Sequence, residues 1–395
     1  MSVLTNIELA PRDPILGLTE AFNADDRATK VNLGVGVYTD ENGRVPLLEC
    51  VRRADELIAE TRKPWGYLPI DGLKTYDDAV AELVYGDVVP RERLAVVQAL
   101  GGTGGLKVAA DFLHRADPDA PVLISDPSWE NHRALFTRAG FTVASYPYYD
   151  AATRAVNFTG MLDALNAAEA GTIVILHACC HNPTGYDLTP EQWGQVRDVV
   201  VERGLVPLLD MAYQGFASSI AEDVAAVRAF AGAGIPVFVT SSFSKTFSLY
   251  GERVGALSVV CADADEAKRV LSQLKIVVRT NYSNPPTHGA QIVAHVLGDP
   301  ELRQLWEAEL GGMRERIKAM RVGLRDGLVA AKPEADADYI VTQNGMFSYS
   351  GLSKDQMVRL REEFGIYGLD SGRICVAALN EGNLPRVVEA IAQVW

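Results

Sequence analysis

Seven short apolar runs, rich in β-branched residues, constrain the fold of this chain more than any other feature. They are LAVVQAL (94–100), PVLISDPSW (121–129), FTVASYPY (141–148), GTIVILHACC (171–180), LVPLLDMAY (205–213), IPVFVTSSFS (235–244) and GALSVVCA (255–262). Longer amphipathic stretches such as GGTGGLKVAADFLHRA and ENHRALFTRAG stand between them. Runs with no polar alternation belong to strands buried on both faces, and the intervening helices supply the cover. The pattern predicts an α/β fold with a mainly parallel central sheet covered by helices. In such a sheet ligands bind beyond the C-terminal strand ends. That rule puts Ser125–Trp129, Cys179–Gly185, Asp210–Tyr213 and Ser242–Lys245 along one rim.

The chain has 395 residues, 48% hydrophobic and 22% charged, as in an ordinary soluble globular protein of two or three domains. Beyond about residue 310 the texture changes. MRERIKAMRVGLRDGLVAA predicts a long amphipathic helix, and MFSYSGL, DQMVRLREEFGIYGL and GRICVAAL predict strand, helix and strand. The loop-rich segment 1–47 is too short to fold alone. We therefore expect a large domain over 48–310 and a smaller, discontinuous α/β domain from 1–47 and 311–395. Lys and Arg total 37 against 51 Asp and Glu, a net charge of −14. That balance argues against nucleic acid or an anionic membrane as partner. No apolar run reaches the ~18 residues that span a bilayer. The N-terminus, MSVLTNIELAPRDPILGL, lacks a basic start and an apolar h-region, so neither signal peptide nor anchor is expected. The five cysteines, Cys50, Cys179, Cys180, Cys261 and Cys375, contain no CxxC pair. No metal site is expected, and buried thiols in a reducing cytoplasm fit best.

Lys245 is the unusual charged residue. It lies in SSFSKTFSLYGERVG, directly after an apolar run rather than on a polar helix face. A lysine amine at its ordinary pKa of ~10.4 is protonated; burial and cationic neighbours such as Arg253 lower that value. A Schiff-base lysine needs this treatment, whereas a surface lysine is the plain alternative. The hydroxyls of Ser242 and Ser244 and the guanidinium of Arg253 suit a phosphate dianion. The glycines of LGGTGGLKVAADFL, with Gly101 and Gly102 ahead of Thr103, let backbone N–H groups approach an anion at a helix N-terminus. This turn lacks GxxxxGK[ST], and GVGVYTDENG fails GxGxxG, which disfavours ATP and nicotinamide cofactors. Asp210 closes LVPLLD, where it either caps a helix or pairs with a protonated ring nitrogen. Asn182 in HNPTG marks a turn or, with Tyr213, donates to a phenolic oxygen. Trp129 fills core or stacks on a flat ring. Together these groups are the complement of pyridoxal 5′-phosphate, with the aspartate making its ring an electron sink.

The order and spacing of HACCHNPTG, DMAYQGF, SFSKTFSLYGERVG and NYSNPP resemble the fold-type I aminotransferases of the aspartate aminotransferase subgroup, nearly end to end. SLYGERVGALSVVCAD, MFSYSGL and REEFGIY are most similar to its bacterial aromatic-amino-acid branch. The resemblance implies a homodimer with shared active sites. It implies Lys245 as the Schiff-base lysine that also carries a proton, and Asp210 at the pyridinium. His132 would back Asp210; a core histidine satisfied by a carbonyl is its plain alternative. Tyr213 and Asn182 would bind the ring oxygen, and Gly101, Gly102, Thr103, Ser242, Ser244 and Arg253 the phosphate. Tyr67, in WGYLPIDG, would reach the phosphate of the other subunit. Gly36, Trp129 and Asn182 would lie against substrate. Arg373, in SGRICV, would clamp the α-carboxylate, and Arg279, in VVRTNYSNPP, would cross the dimer to a distal carboxylate. Bidentate Arg–carboxylate pairs fix orientation; the plain alternative for each is a surface ion pair worth ~0–1 kcal/mol. The implied reaction is ping-pong transfer of an amino group to 2-oxoglutarate. Thr103 and Asn284 look like the aspartate branch, while small Val45 and Gly66 leave room for a ring. Activity toward Tyr, Phe and Asp is expected. The alternatives are an aspartate aminotransferase with little aromatic activity, a pyridoxal-phosphate lyase or decarboxylase that has no use for Arg279, and a non-catalytic sensor.

Overall fold

The computed structural model describes residues 2–10, 14–61, 64, 66–334 and 336–395, apart from the side chains of 14–16. The seven apolar runs are seven strands: β1 Leu94–Leu100, β2 Val122–Asp126, β3 Val143–Pro147, β4 Ile173–His177, β5 Val206–Met211, β6 Val237–Ser242 and β7 Val254–Val260. They form one sheet in the order β1-β7-β6-β5-β4-β2-β3. Strands β2 to β6 are mutually parallel, and β7 runs antiparallel to both β1 and β6. The expected mainly parallel sheet is therefore present.

Successive residues of each strand enter opposite cores. Val174, Leu176, Leu209 and Val239 pack on one face, and Ile173, Ile175, Leu208 and Phe238 on the other. A period of two with apolar residues on both faces is what makes the runs continuous in sequence. Each such side chain gains roughly 1.5–3 kcal/mol by burial, so the sheet requires helices on both sides. Helix Pro190–Arg203 shows how they are delimited. Thr189 and Gln192 form a reciprocal capping box, Pro190 opens the first turn, and Gly204 stops it at φ 63°.

Helix Pro300–Ala331 is 32 residues long and is opened by Asp299, whose carboxylate accepts from the N–H groups of Glu301 and Leu302. It runs unbroken through position 310 and begins well before the amphipathic pattern read from sequence. It packs against helices Glu49–Thr61, His288–Gly298 and Leu384–Val394. The strand, helix and strand that follow are Phe347–Tyr349, Lys354–Phe364 and Arg373–Cys375, with a short strand Ile366–Tyr367 between the last two. Val31–Asn32 pairs in parallel with Ile366–Tyr367, and Phe347–Tyr349 pairs antiparallel with Arg373–Cys375. These pairings tie the N-terminal segment to the C-terminal one. All five cysteines are buried and free. Among the described residues no helix is long and apolar enough to cross a membrane.

Candidate active site

Strand register decides what meets at the C-terminal edge of the sheet. His177, Asp210 and Thr240 are cross-strand neighbours on β4, β5 and β6, so the polar ends of three apolar runs lie side by side. Above them is a pocket of about 210 Å³.

Asp210 is buried on its floor. Its Oδ1 accepts from Thr240 Oγ1 at 3.0 Å, and its Oδ2 lies 3.0 Å from His132 Nε2. His132 Nδ1 is in turn 2.9 Å from Ser128 Oγ. Burial pushes the Asp210 carboxyl up, but His132 and Thr240 outweigh it and hold the group below the ordinary carboxylate range. An ionised acid at this depth is suited to a cationic ring nitrogen.

Lys245 lies in the turn after β6, partly buried, with Nζ 4.9 Å from the centre of the Tyr213 ring. Burial pulls its amine down from 10.5 to about 8; Asp210 opposes that shift, and Arg253 and Arg373 add to it. A neutral amine is thus accessible near neutral pH, as attack on a carbonyl requires. Burial also pushes the Tyr213 phenol well up, so it stays a hydrogen-bond donor.

One end of the pocket is an anion cradle. Helix Gly101–Ala116 begins there with no side-chain cap, which leaves first-turn N–H groups for a ligand. Gly101 has φ 70°, and a Cβ on it would stand 2.6 Å from Arg253 Nη2. The positive φ favours glycine, and the Arg253 guanidinium packs against the space a side chain would take. Arg253 Nη1 donates to Tyr250 O at 2.9 Å and to Ser244 Oγ at 3.3 Å. Gly102, Thr103, Ser242 and Ser244 complete the cradle.

At the other end lies Arg373, 1% exposed. Its Nη1 donates to Asn182 Oδ1 at 3.0 Å and its Nη2 to Gly34 O at 2.8 Å. The guanidinium carbon lies 4.2 Å from the Phe347 ring centre, and Nε has no partner. Among the described residues no carboxylate forms an ion pair with it. A buried guanidinium left without a counter-charge is costly.

The structure thus gathers Gly36, Gly102, Thr103, Trp129, Asn182, Asp210, Tyr213, Ser242, Ser244, Lys245, Arg253 and Arg373 around one cavity. Gly101 and His132 stand directly behind it, against Arg253 and Asp210. His132 is therefore no core histidine satisfied by a carbonyl. Two residues expected to serve the other subunit lie outside this pocket. Tyr67 is 95% exposed, and Arg279 is exposed at the end of helix Ala264–Asn281, bonded to Ser283. His177, Ala212, Tyr250 and Phe347 also line the pocket and were not singled out from sequence. His177 and Tyr250 sit inside motifs already quoted, but nothing local separates them from core residues. Phe347 arrives through strand pairing from far along the chain.

The residues around the pocket would fit pyridoxal phosphate: the cradle would suit its phosphate, the acid a ring nitrogen, Asn182 and Tyr213 a ring oxygen, and the amine its aldehyde. Residues 28–391 match the family described as aminotransferase class I and II. The chain is 58% identical over its full length to an aspartate aminotransferase of Pseudomonas aeruginosa, covering all of that protein. It is 52% identical to an aromatic-amino-acid aminotransferase of Escherichia coli, with 97% of each chain covered. Its fold superposes on an aromatic-amino-acid aminotransferase from Burkholderia pseudomallei, covalently bound to pyridoxal phosphate, with a TM-score of 0.98 at 64% identity and full coverage of both chains. The chain belongs to the class I and II aminotransferases.

Proposed function

We propose that this protein is a transaminase that uses pyridoxal 5′-phosphate to move the amino group of tyrosine, phenylalanine and aspartate to 2-oxoglutarate. The observation that carries the reading is a single cavity holding an amine lowered to about 8 and a carboxylate held ionised, at Lys245 and Asp210. When bound, the cofactor supplies an aldehyde for the amine and a ring that accepts electrons from the substrate α-carbon. Asp210 holds positive charge at the ring nitrogen, and His132 and Thr240 keep its carboxylate oriented. Asn182 and Tyr213 would donate to the ring oxygen. Arg373 would fix the α-carboxylate and so set the α-hydrogen toward Lys245, whose amine would take and return that proton. The apolar ring of Phe347 beside Arg373 excludes water from the clamp.

Activity toward aromatic amino acids is supported by the 52% identity to an aromatic-amino-acid aminotransferase. The 58% identity to an aspartate aminotransferase, together with Thr103, supports a second reading with little aromatic activity. In our reading Tyr67 and Arg279, exposed here, complete the site of a second subunit in a cytoplasmic homodimer. The division into 48–310 and a discontinuous 1–47 plus 311–395 is part of the same proposal. Borohydride reduction of the reconstituted protein, followed by peptide mapping, should place the pyridoxyl label on Lys245; a label elsewhere ends the proposal. Comparable kcat/KM for tyrosine and aspartate supports dual activity, and a tyrosine value orders of magnitude lower selects the aspartate reading.

A further inference from the structure

Between the active-site pocket and a separate cleft stands an adjacent pair of thiols that the reaction does not use. His177 and Asn182 line the active-site pocket, whereas Cys179, three residues before Asn182, lines a second cleft of about 520 Å³ on the other side of this segment. The Cys179 and Cys180 sulfurs and a carboxylate oxygen of Asp223 lie within 4.8 Å of one another, and all three residues are buried. Asp223 comes from a different part of the chain, which is why Cys spacing alone showed no such set.

The surrounding bonds pre-organise these groups. Asp187 Oδ2 accepts from the N–H of Cys180 at 3.0 Å, and its Oδ1 from that of His181 at 2.9 Å. The turn holds Cys180 at φ 51°, a conformation that a non-glycine residue adopts at a cost. Asp223 Oδ2 accepts from the N–H groups of Gly215 and Ala217, and Oδ1 from that of Ser218. The carboxylate is therefore fixed in orientation. Asp187, which orients Cys180, His181 and Asn344, is not part of the set whose ligand atoms lie within 4.8 Å of one another. Cys179 and Asp223 both line the cleft.

The geometry points to a binding site for a soft divalent cation of the Zn²⁺ or Cd²⁺ type, held by Cys179, Cys180 and Asp223. Two sulfurs and one carboxylate with an open fourth position is a donor set that suits a d¹⁰ ion. Binding replaces two S–H bonds with two S–metal bonds and releases two protons to solvent; no oxidant is involved. The Cys180 thiol also lies 3.9 Å from the carbonyl of Tyr213, and residues 177 to 182 join the two cavities. A bound ion therefore pulls on the backbone that carries Asn182 and Tyr213, and loading the site lowers turnover.

Titration of the reconstituted holoenzyme with Cd²⁺ tests this. The expected result is one ion per chain, with an ultraviolet thiolate-to-metal absorption band and a parallel loss of activity. Both persist in Cys261→Ser and vanish in a Cys179→Ser, Cys180→Ser double variant. A band of unchanged intensity in the double variant, or none in the wild type, overturns the assignment. Should the double variant fail to fold, X-ray absorption of the Zn²⁺-loaded wild type decides. Two sulfurs at ~2.3 Å support the site, and a shell of nitrogen and oxygen alone, as surface groups such as His288 with Asp55 and Glu252 would give, refutes it.

Discussion

His132 Nε2 sits 3.0 Å from Asp210 Oδ2, with both side chains buried. This contact, more than the depth of the aspartate, sets its charge: burial alone would push the carboxyl up, and the imidazole reverses the direction. In His132→Ala the Asp210 carboxyl should rise. Each unit of rise is worth about 1.4 kcal/mol of lost ion pairing. We expect kcat/KM to fall by at least about tenfold, and the acid limb of its pH profile to move to higher pH. An unmoved acid limb would separate His132 from Asp210.

Gly101→Ala should weaken cofactor binding rather than chemistry. The added methyl would meet Arg253 Nη2 at 2.6 Å, at a residue with φ 70°. The backbone penalty alone is roughly 1–2 kcal/mol, and the Arg253 guanidinium must shift within the cradle. Equilibrium dialysis should show pyridoxal phosphate bound at least tenfold more weakly, with kcat at saturating cofactor within a few-fold of wild type.

Lys245 costs the cofactor-free protein stability. Its folded value of about 8 lies below the ordinary 10.5, so below pH 8 both folded and unfolded amines are charged and the folded state bears the penalty. Lys245→Met should therefore stabilise the cofactor-free protein at pH 7 by about 2–3 kcal/mol while abolishing transamination. That advantage should shrink as pH rises from about 8 to 10.5, because the folded amine is already neutral there. Urea titrations of both proteins at pH 7 and pH 10 measure the difference; an advantage that grows with pH contradicts the assignment.

Arg321 is buried, and its guanidinium donates to the carbonyls of Ile340, Gly345 and Phe347. It holds the turn that presents Phe347 to Arg373. Arg321→Met leaves those carbonyls unpaired and should cost about 3 kcal/mol, seen as a lower Tm. Because Phe347 backs the substrate clamp, KM should rise several-fold with kcat little changed.

If Arg279 serves a partner's site, Arg279→Ala should reduce kcat/KM for aspartate and 2-oxoglutarate by roughly 10²-fold or more, the scale of losing one buried charge-pair partner. Tyrosine, which has no distal carboxylate, should lose only a few-fold. Equal losses for tyrosine and aspartate would place this arginine elsewhere.

Strand content and order of chemistry were readable because both are local. LAVVQAL or IPVFVTSSFS must be a doubly buried strand wherever it goes, since no other element hides every side chain in so few residues. The polar residue closing each run, such as Asp210 or Ser242, must then emerge at the sheet edge. Lys245 was conspicuous for the same reason, a charge next to a buried strand. What sequence did not contain was lateral order. The antiparallel β7 places Gly255 beside Ser242 and Val254 beside Leu100, which brings the Gly101 turn to the Ser242 end. Register put His177, Asp210 and Thr240 in one row, and pairing of Phe347–Tyr349 with Arg373–Cys375 carried Phe347 onto the Arg373 guanidinium. Asp223 reached the Cys179–Cys180 pair in the same way. These are long-range contacts, decided by which strand edges and helix faces bury best against one another, and a chain read one segment at a time carries no record of that choice.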